Sequence, residues 1–142
     1  MKQDLVAKVS RTVEAPIDEV WQALITPETI KEYMFGAAVK SDWKVGSPIV
    51  WKGEWQGKPY EDKGKILQME PKRRLSYSHF SPLAGKPDKP ENYHTVTIEL
   101  AKRPKGTLVT LSQDNNANEE AREHSQQNWK MMLDGLKKVV EH

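Results

Sequence analysis

Hydrophobic and polar positions along the chain change period several times, and each change predicts an element. From Leu5 to Glu14, the residues Leu5, Ala7, Val9, Arg11 and Val13 alternate with Val6, Lys8, Ser10, Thr12 and Glu14, a β-branched, period-two pattern that predicts a first strand. It ends at Ala15-Pro16. Pro16 suits the start of a helix, Asp18 and Glu19 complement the positive end of the helix dipole, and Ile17, Val20, Trp21, Leu24 and Ile25 form one apolar stripe. Thr26-Pro27-Glu28 repeats the start signal and opens a second short helix through Ile30, Tyr33 and Met34 that stops near Gly36.

Between about Ala37 and Gln113 no helical run of useful length occurs. Alternating segments near 38–44, 48–56, 61–70, 73–80, 92–102 and 107–113 predict six strands. Turns at Lys44-Val45-Gly46-Ser47, Gln56-Gly57-Lys58-Pro59, Glu70-Pro71-Lys72 and Lys102-Arg103-Pro104-Lys105-Gly106 fit an antiparallel meander. Ser81 to Glu91 is the longest connection and is rich in proline. After Asn115-Asn116 the period becomes helical: Asn116 with Glu119 resembles a capping box, and Ala121, Ser125, Asn128, Trp129, Met132, Leu133, Leu136, Val139 and Val140 recur at helical spacing. Early glutamates and late lysines match the dipole of this long helix. The order is strand, two short helices, six strands, long helix. It predicts one domain over residues 1–142 of the α+β class, a helix-grip in which the long C-terminal helix packs on the concave face of a twisted sheet.

Composition narrows the functional classes. The 22 basic and 20 acidic residues leave a formal net charge of +2, too weak a field to argue for nucleic acid or anionic lipid. There is no cysteine, which excludes disulfides, thiolate metal sites and a Cys nucleophile. Neither a signal peptide nor a membrane span is visible, and the expected location is cytoplasmic.

Four segments carry a family resemblance. They are Val13-Glu14-Ala15-Pro16-Ile17-Asp18-Glu19-Val20-Trp21-Gln22-Ala23-Leu24, Glu70-Pro71-Lys72-Arg73-Arg74-Leu75-Ser76-Tyr77, Gly106-Thr107-Leu108-Val109-Thr110-Leu111 and Gln127-Asn128-Trp129-Lys130-Met131-Met132-Leu133-Asp134-Gly135-Leu136-Lys137. In this order and spacing the chain resembles the SRPBCC (START-like) superfamily, and within it the group similar to the C-terminal domain of the activator of heat-shock protein 90 ATPase. The chain departs from many relatives at Tyr33-Met34-Phe35, where they carry an aromatic pair. The resemblance implies a helix-grip fold with a hydrophobic cavity, and it implies a hydrophobic or amphipathic small molecule, aromatic or lipid-like, as partner. A chaperone is the second candidate partner. The superfamily hosts carriers, receptors, cyclases and a co-chaperone, so fold alone does not assign function.

Strand parity supplies candidate walls for such a cavity. Trp51, Gly53 and Trp55 share one face of their strand, Leu75, Tyr77 and His79 one face of theirs, and His94, Val96, Ile98 and Leu100 one face of a third. If these faces are concave they meet Trp129, Met132 and Leu136 of the long helix. The ligand-binding set is then Trp51, Trp55, Tyr77, His79, His94, Val96, Ile98, Trp129, Met132 and Leu136, with Tyr77, His79, His94, Ser125 and Asn128 as polar candidates. A filled core would produce the same apolar faces. His79 and His94 flank the long connection, and pairing of their strands would bring the imidazoles together. A metal or acid–base site needs that convergence plus a carboxylate. Glu54, Glu61, Asp62 and Glu70 alternate with lysines and read as a solvated edge face. The basic turns at Lys72 and Lys102 read likewise. No serine elbow or phosphate-binding glycine loop occurs, and no catalytic residue, metal or cofactor is assigned. The function expected is small-molecule binding. The alternatives are a cyclase- or lyase-like enzyme using the same cavity, with His79 or His94 and Tyr77 moving protons, or a chaperone ATPase regulator.

Overall fold

The first strand, β1 (Ala7–Val13), pairs antiparallel with the last, β7 (Gly106–Gln113), and this pairing joins the two ends of the chain into one sheet. Between them run α1 (Ile17–Ile25), α2 (Pro27–Tyr33), β2 (Ala38–Ser41), β3 (Pro48–Trp55), β4 (Lys58–Glu70), β5 (Arg74–His79) and β6 (His94–Arg103), and after β7 comes α3 (Glu119–Val140). The sheet order is β1-β7-β6-β5-β4-β3-β2, all antiparallel. This is the expected helix-grip arrangement. The computed structural model describes residues 5–34, 36–81 and 85–141 and, of Trp55, the backbone alone. Phe35, part of the long connection and the Trp55 side chain expected in the ligand-binding set therefore lie outside the described residues.

The apolar stripe of α3 is what the sheet curves around. Met132, Leu133, Leu136 and Val140 are buried in one cluster with Val9 and Val13 of β1, Val109 and Leu111 of β7, Val96 and Ile98 of β6 and the inner residues of α1 and α2. Each such side chain removed from water contributes about 1.5–3 kcal/mol. At the opposite pole, Arg11 on β1 donates to Asp134 of α3 at 2.9 Å, an exposed pair of small energetic weight.

Three local details depart from the sequence pattern, each for a physical reason. The helix cap is Asn118, whose Oδ1 accepts from the Ala121 backbone N–H at 2.8 Å, and not Asn116. Asn116 is occupied elsewhere: its Nδ2 donates to the carbonyls of Leu5 and Gln113. Strand β4 begins at Lys58, earlier than the proline at 59 suggests, because Gln56 and Gly57 (φ 50° and 81°) form a two-residue turn that pairs Trp55 with Lys58. Further along, the register between β4 and β5 shifts between Ile66 and Gln68. The extra residue, Leu67, bends the strand and keeps Ile66 inward.

Gly64, just before this bulge, lies so close to β5 that a Cβ built on it would sit 1.7 Å from the Ser78 carbonyl oxygen. Gly64→Ala is expected to cost about 1–3 kcal/mol through forced separation of the strands, against about 1 kcal/mol for loss of the cap in Asn118→Ala. Urea unfolding midpoints of the two variants check this order.

Candidate functional site

The inner face of the sheet ends, at the edge beneath the long connection, in a row of polar and aromatic side chains drawn from four neighbouring strands. Trp51 of β3 is the register partner of Asp62 on β4, and His79 of β5 is the register partner of His94 on β6. Asp62 reaches diagonally to His79, with Oδ2 and Nε2 2.9 Å apart. An ionised carboxylate only accepts, so Nε2–H donates and Nδ1 is left as the lone-pair nitrogen of the neutral ring. The indole of Trp51 packs at 5.1 Å from both the Tyr77 and the His79 rings, nearly edge-on to the latter.

His94 is held in the opposite sense. Its Nδ1 lies 2.9 Å from the Asp114 carbonyl oxygen, which can only accept, so Nδ1 carries a proton and Nε2 is the acceptor of the neutral ring. Asp114 in turn accepts from the Thr95 backbone N–H through Oδ1 at 2.5 Å, fixing the start of β6. The two imidazole centroids are 6.4 Å apart. Both rings line a cavity of about 440 Å³ whose other walls come from Phe80, the long connection and the segment leading into α3, including Asn92 and Asn116. Its lining is largely polar.

Asp62 was expected on a solvated face with its neighbours. Glu54, Glu61 and Glu70 are indeed exposed, but the Asp62 side chain is only 15% exposed. Among the described residues its Oδ1 is the one buried side-chain polar atom without a hydrogen-bond partner. The lysine alternation concealed it. The strand carries charge on both faces here, and glycine at 64 leaves the place opposite His79 without a side chain. The basic turns are surface features, with Lys72 paired to Asp18 and Arg74 to Glu99.

A second space, about 400 Å³, opens beside α3 and is lined by Met34, Gln113, Ser125, Asn128, Trp129, Met131 and Met132. Its walls are mostly apolar, and Met131 is 57% exposed. Between this cleft and the polar cavity stands a hydrogen-bonded partition. The Trp129 indole N–H donates to Gln113 Oε1 at 2.6 Å, and Ser125 Oγ donates to Asn116 Oδ1 at 2.9 Å. Gln113 Nε2 reaches both Asn116 and Ser125 at a looser 3.4 Å. Gln113 and Asn116 were missed from the sequence as site residues, although Gln113 shares the inward parity of Val109 and Leu111.

The remaining expected wall residues lie in packed interior. Trp51, Tyr77, Val96, Ile98, Met132 and Leu136 are buried, Val96 and Leu136 completely. Where Trp51, Tyr77, Ile98 and Met132 converge with Leu24, Tyr33 and Ile49, the free space is about 20 Å³, scarcely a water molecule. The expected residues that are described thus divide: His79 and His94 reach one cavity, Trp129 and Met132 border the other, and Trp51, Tyr77, Val96, Ile98 and Leu136 fill the core between sheet and helix. Among the described residues no helix is long and apolar enough to cross a membrane, and no group of three or more His, Asp or Glu side chains is placed to hold a metal ion.

Comparison with known proteins places this geometry. The family described as "Activator of Hsp90 ATPase homolog 1-like protein" matches residues 14–141. The solution structure of ChR145 from Cytophaga hutchinsonii is similar at 60% identity and a TM-score of 0.86, covering 99% of this chain and 96% of that one. CalU16 from Micromonospora echinospora is similar at 25% identity and a TM-score of 0.71, over 98% of this chain and 85% of its own. The Aha1 dimer from Colwellia psychrerythraea shares the fold, at 19% identity and a TM-score of 0.73, over 96% of each chain. No curated protein matches the sequence.

Burial around the site predicts a response to alkali. Desolvation pushes the Tyr77 hydroxyl far above the usual phenol range, and Tyr33, whose hydroxyl donates to the Ala23 carbonyl at 2.7 Å, is raised by burial and by its nearness to Tyr77. With the folded values raised, the unfolded chain releases these protons first. The associated stability is complete below the ordinary tyrosine value of about 10 and is lost as pH rises above it. Tyr77→Phe is expected to flatten that loss, read as urea midpoints measured from neutral to alkaline pH.

Proposed function

The chain belongs to the Activator of Hsp90 ATPase homolog 1-like family, and we propose that it acts as a binding domain for an amphipathic small molecule. The observation that carries this reading is where the free space lies. The middle of the grip is filled, whereas two spaces of about 440 Å³ and 400 Å³ flank the Gln113–Trp129 partition, one largely polar and one largely apolar. Both fall in the size range of small-molecule sites.

The division of labour follows from the lining. His79, His94 and Asn116 offer hydrogen-bond partners that orient a polar head, while Met34, Trp129, Met131 and Met132 give an apolar body a deformable wall. Tyr77 and Trp51 stiffen the floor beneath His79, and Val96, Ile98 and Leu136 hold the strands and helix at the spacing the spaces require. The packed core stays as it is on binding, and a ligand whose head and body occupy both spaces displaces only the hydrogen bonds of the partition between them.

The Trp129 indole N–H is a natural reporter because it is hydrogen-bonded inside the partition. In an NMR titration with a panel of fatty acids, naphthols and flavonoids, at least one compound is expected to move this resonance and the His79 and His94 amides saturably. Trp129→Ala should weaken that compound about tenfold, the loss of about 1.4 kcal/mol of contact. A panel that moves none of these resonances at millimolar concentration overturns the reading.

A further inference from the structure

We propose that His79, backed by Asp62, takes the proton from a phenolic or enolic hydroxyl of the ligand, so that the polar cavity holds its occupant as an oxyanion beside an imidazolium. The inference rests on the binding function proposed above and specifies the chemistry of the ligand's polar end.

Four observations converge on it. The Asp62 carboxylate is nearly buried, has one oxygen on His79 Nε2 at 2.9 Å and has its other oxygen without a partner, so its negative charge is compensated by little else nearby. A carboxylate placed on one ring nitrogen orients the imidazole and holds the positive charge that arises when the other nitrogen accepts a proton. That ring lines the cavity, whereas Asp62 stands behind it and is not part of the wall. Next to it, His94 has its own proton committed to the Asp114 carbonyl, which leaves a second acceptor nitrogen and no competing donor on that ring while it is neutral. Two adjacent rings on the wall of a small space, each with one nitrogen left to accept, suit a ligand that brings a hydroxyl hydrogen.

The transfer balances without any further reagent. The ligand O–H bond breaks, an N–H bond forms at His79 Nδ1, and the electron pair stays on the ligand oxygen, so the net charge of the pair is unchanged. The other charged and titratable groups around the ring set the balance. Lys86 on the wall favours an oxyanion and Glu91 opposes it, both from exposed positions where solvent screens them, and Lys63 and Asp88 are engaged with each other. Tyr60 is raised, by burial first and by the Asp62 charge second, and stays protonated. The buried Trp51 indole, packed nearly edge-on against His79, holds that ring from behind.

The test uses 4-nitrophenol, whose phenolate absorbs in the visible, at a pH where the free compound is mostly protonated and in a buffer without imidazole. The wild-type protein is expected to raise visible absorbance saturably, with phenolate favoured in the bound state. His79→Gln should abolish the increase. Asp62→Asn should lower the bound phenolate-to-phenol ratio about tenfold, while the Trp129 resonance and the thermal midpoint report whether binding and folding persist. His94→Gln should retain most of the increase. Should 4-nitrophenol bind without colour, or the colour survive in His79→Gln, the proton transfer is overturned while the binding function stands. Should the protein bind neither 4-nitrophenol nor any compound of the wider panel, both fall together.

Discussion

The burial of one face of α3 against the inner face of the sheet is the constraint on which everything else depends. A 22-residue helix with an apolar stripe cannot stand in water, and an open seven-stranded sheet has one face to give it. Once Met132, Leu133, Leu136 and Val140 are seated, the middle of the grip is full. The two spaces of the candidate site then lie where the stripe turns polar: near Ser125 and Asn128, and beyond the helix start at Asn116 and Ala117. The position of the candidate site is therefore a by-product of where the helix ceases to be apolar.

The same constraint explains why the polar row sits where it does. Toward the β1 and α1 end the inner strand positions are Val13, Val109 and Leu100, and toward the other end they become Gln113, His94, His79 and Asp62. A buried carboxylate is costly unless it is paired, and imidazole pairing satisfies one of its two oxygens. The tautomers of both histidines follow from acceptors that cannot donate, a carboxylate in one case and a backbone carbonyl in the other. Chemistry at this end of the sheet is thus fixed by neighbours one strand away.

Much of the architecture was legible in the chain. The β-branched alternation, the proline-marked helix starts and the stripe from Ala121 to Val140 gave the right elements in the right order, because each rests on local periodicity and caps. What stayed hidden depends on assembly. Parity put Val96, Ile98 and Leu136 on the inner face but could not distinguish a cavity wall from filled core, a difference set by how closely strands and helix approach. Asp62 looked like its lysine-flanked neighbours until register placed it between Trp51 and His79. Asn116 had the spacing of a cap, yet a carbonyl more than a hundred residues away at Leu5 claims its side chain.

That last contact makes Asn116 a keystone in the mechanical sense. Through its backbone N–H and side chain it is tied to Leu5, just ahead of the edge strand β1, and through Gln113 and Ser125 it is tied to β7 and to the first turns of α3. Prising the helix away from the sheet at this end means shearing all of these bonds at once. The two cavities therefore share a common wall that behaves as a rivet, and a molecule large enough to span them would have to draw the rivet before it could pass.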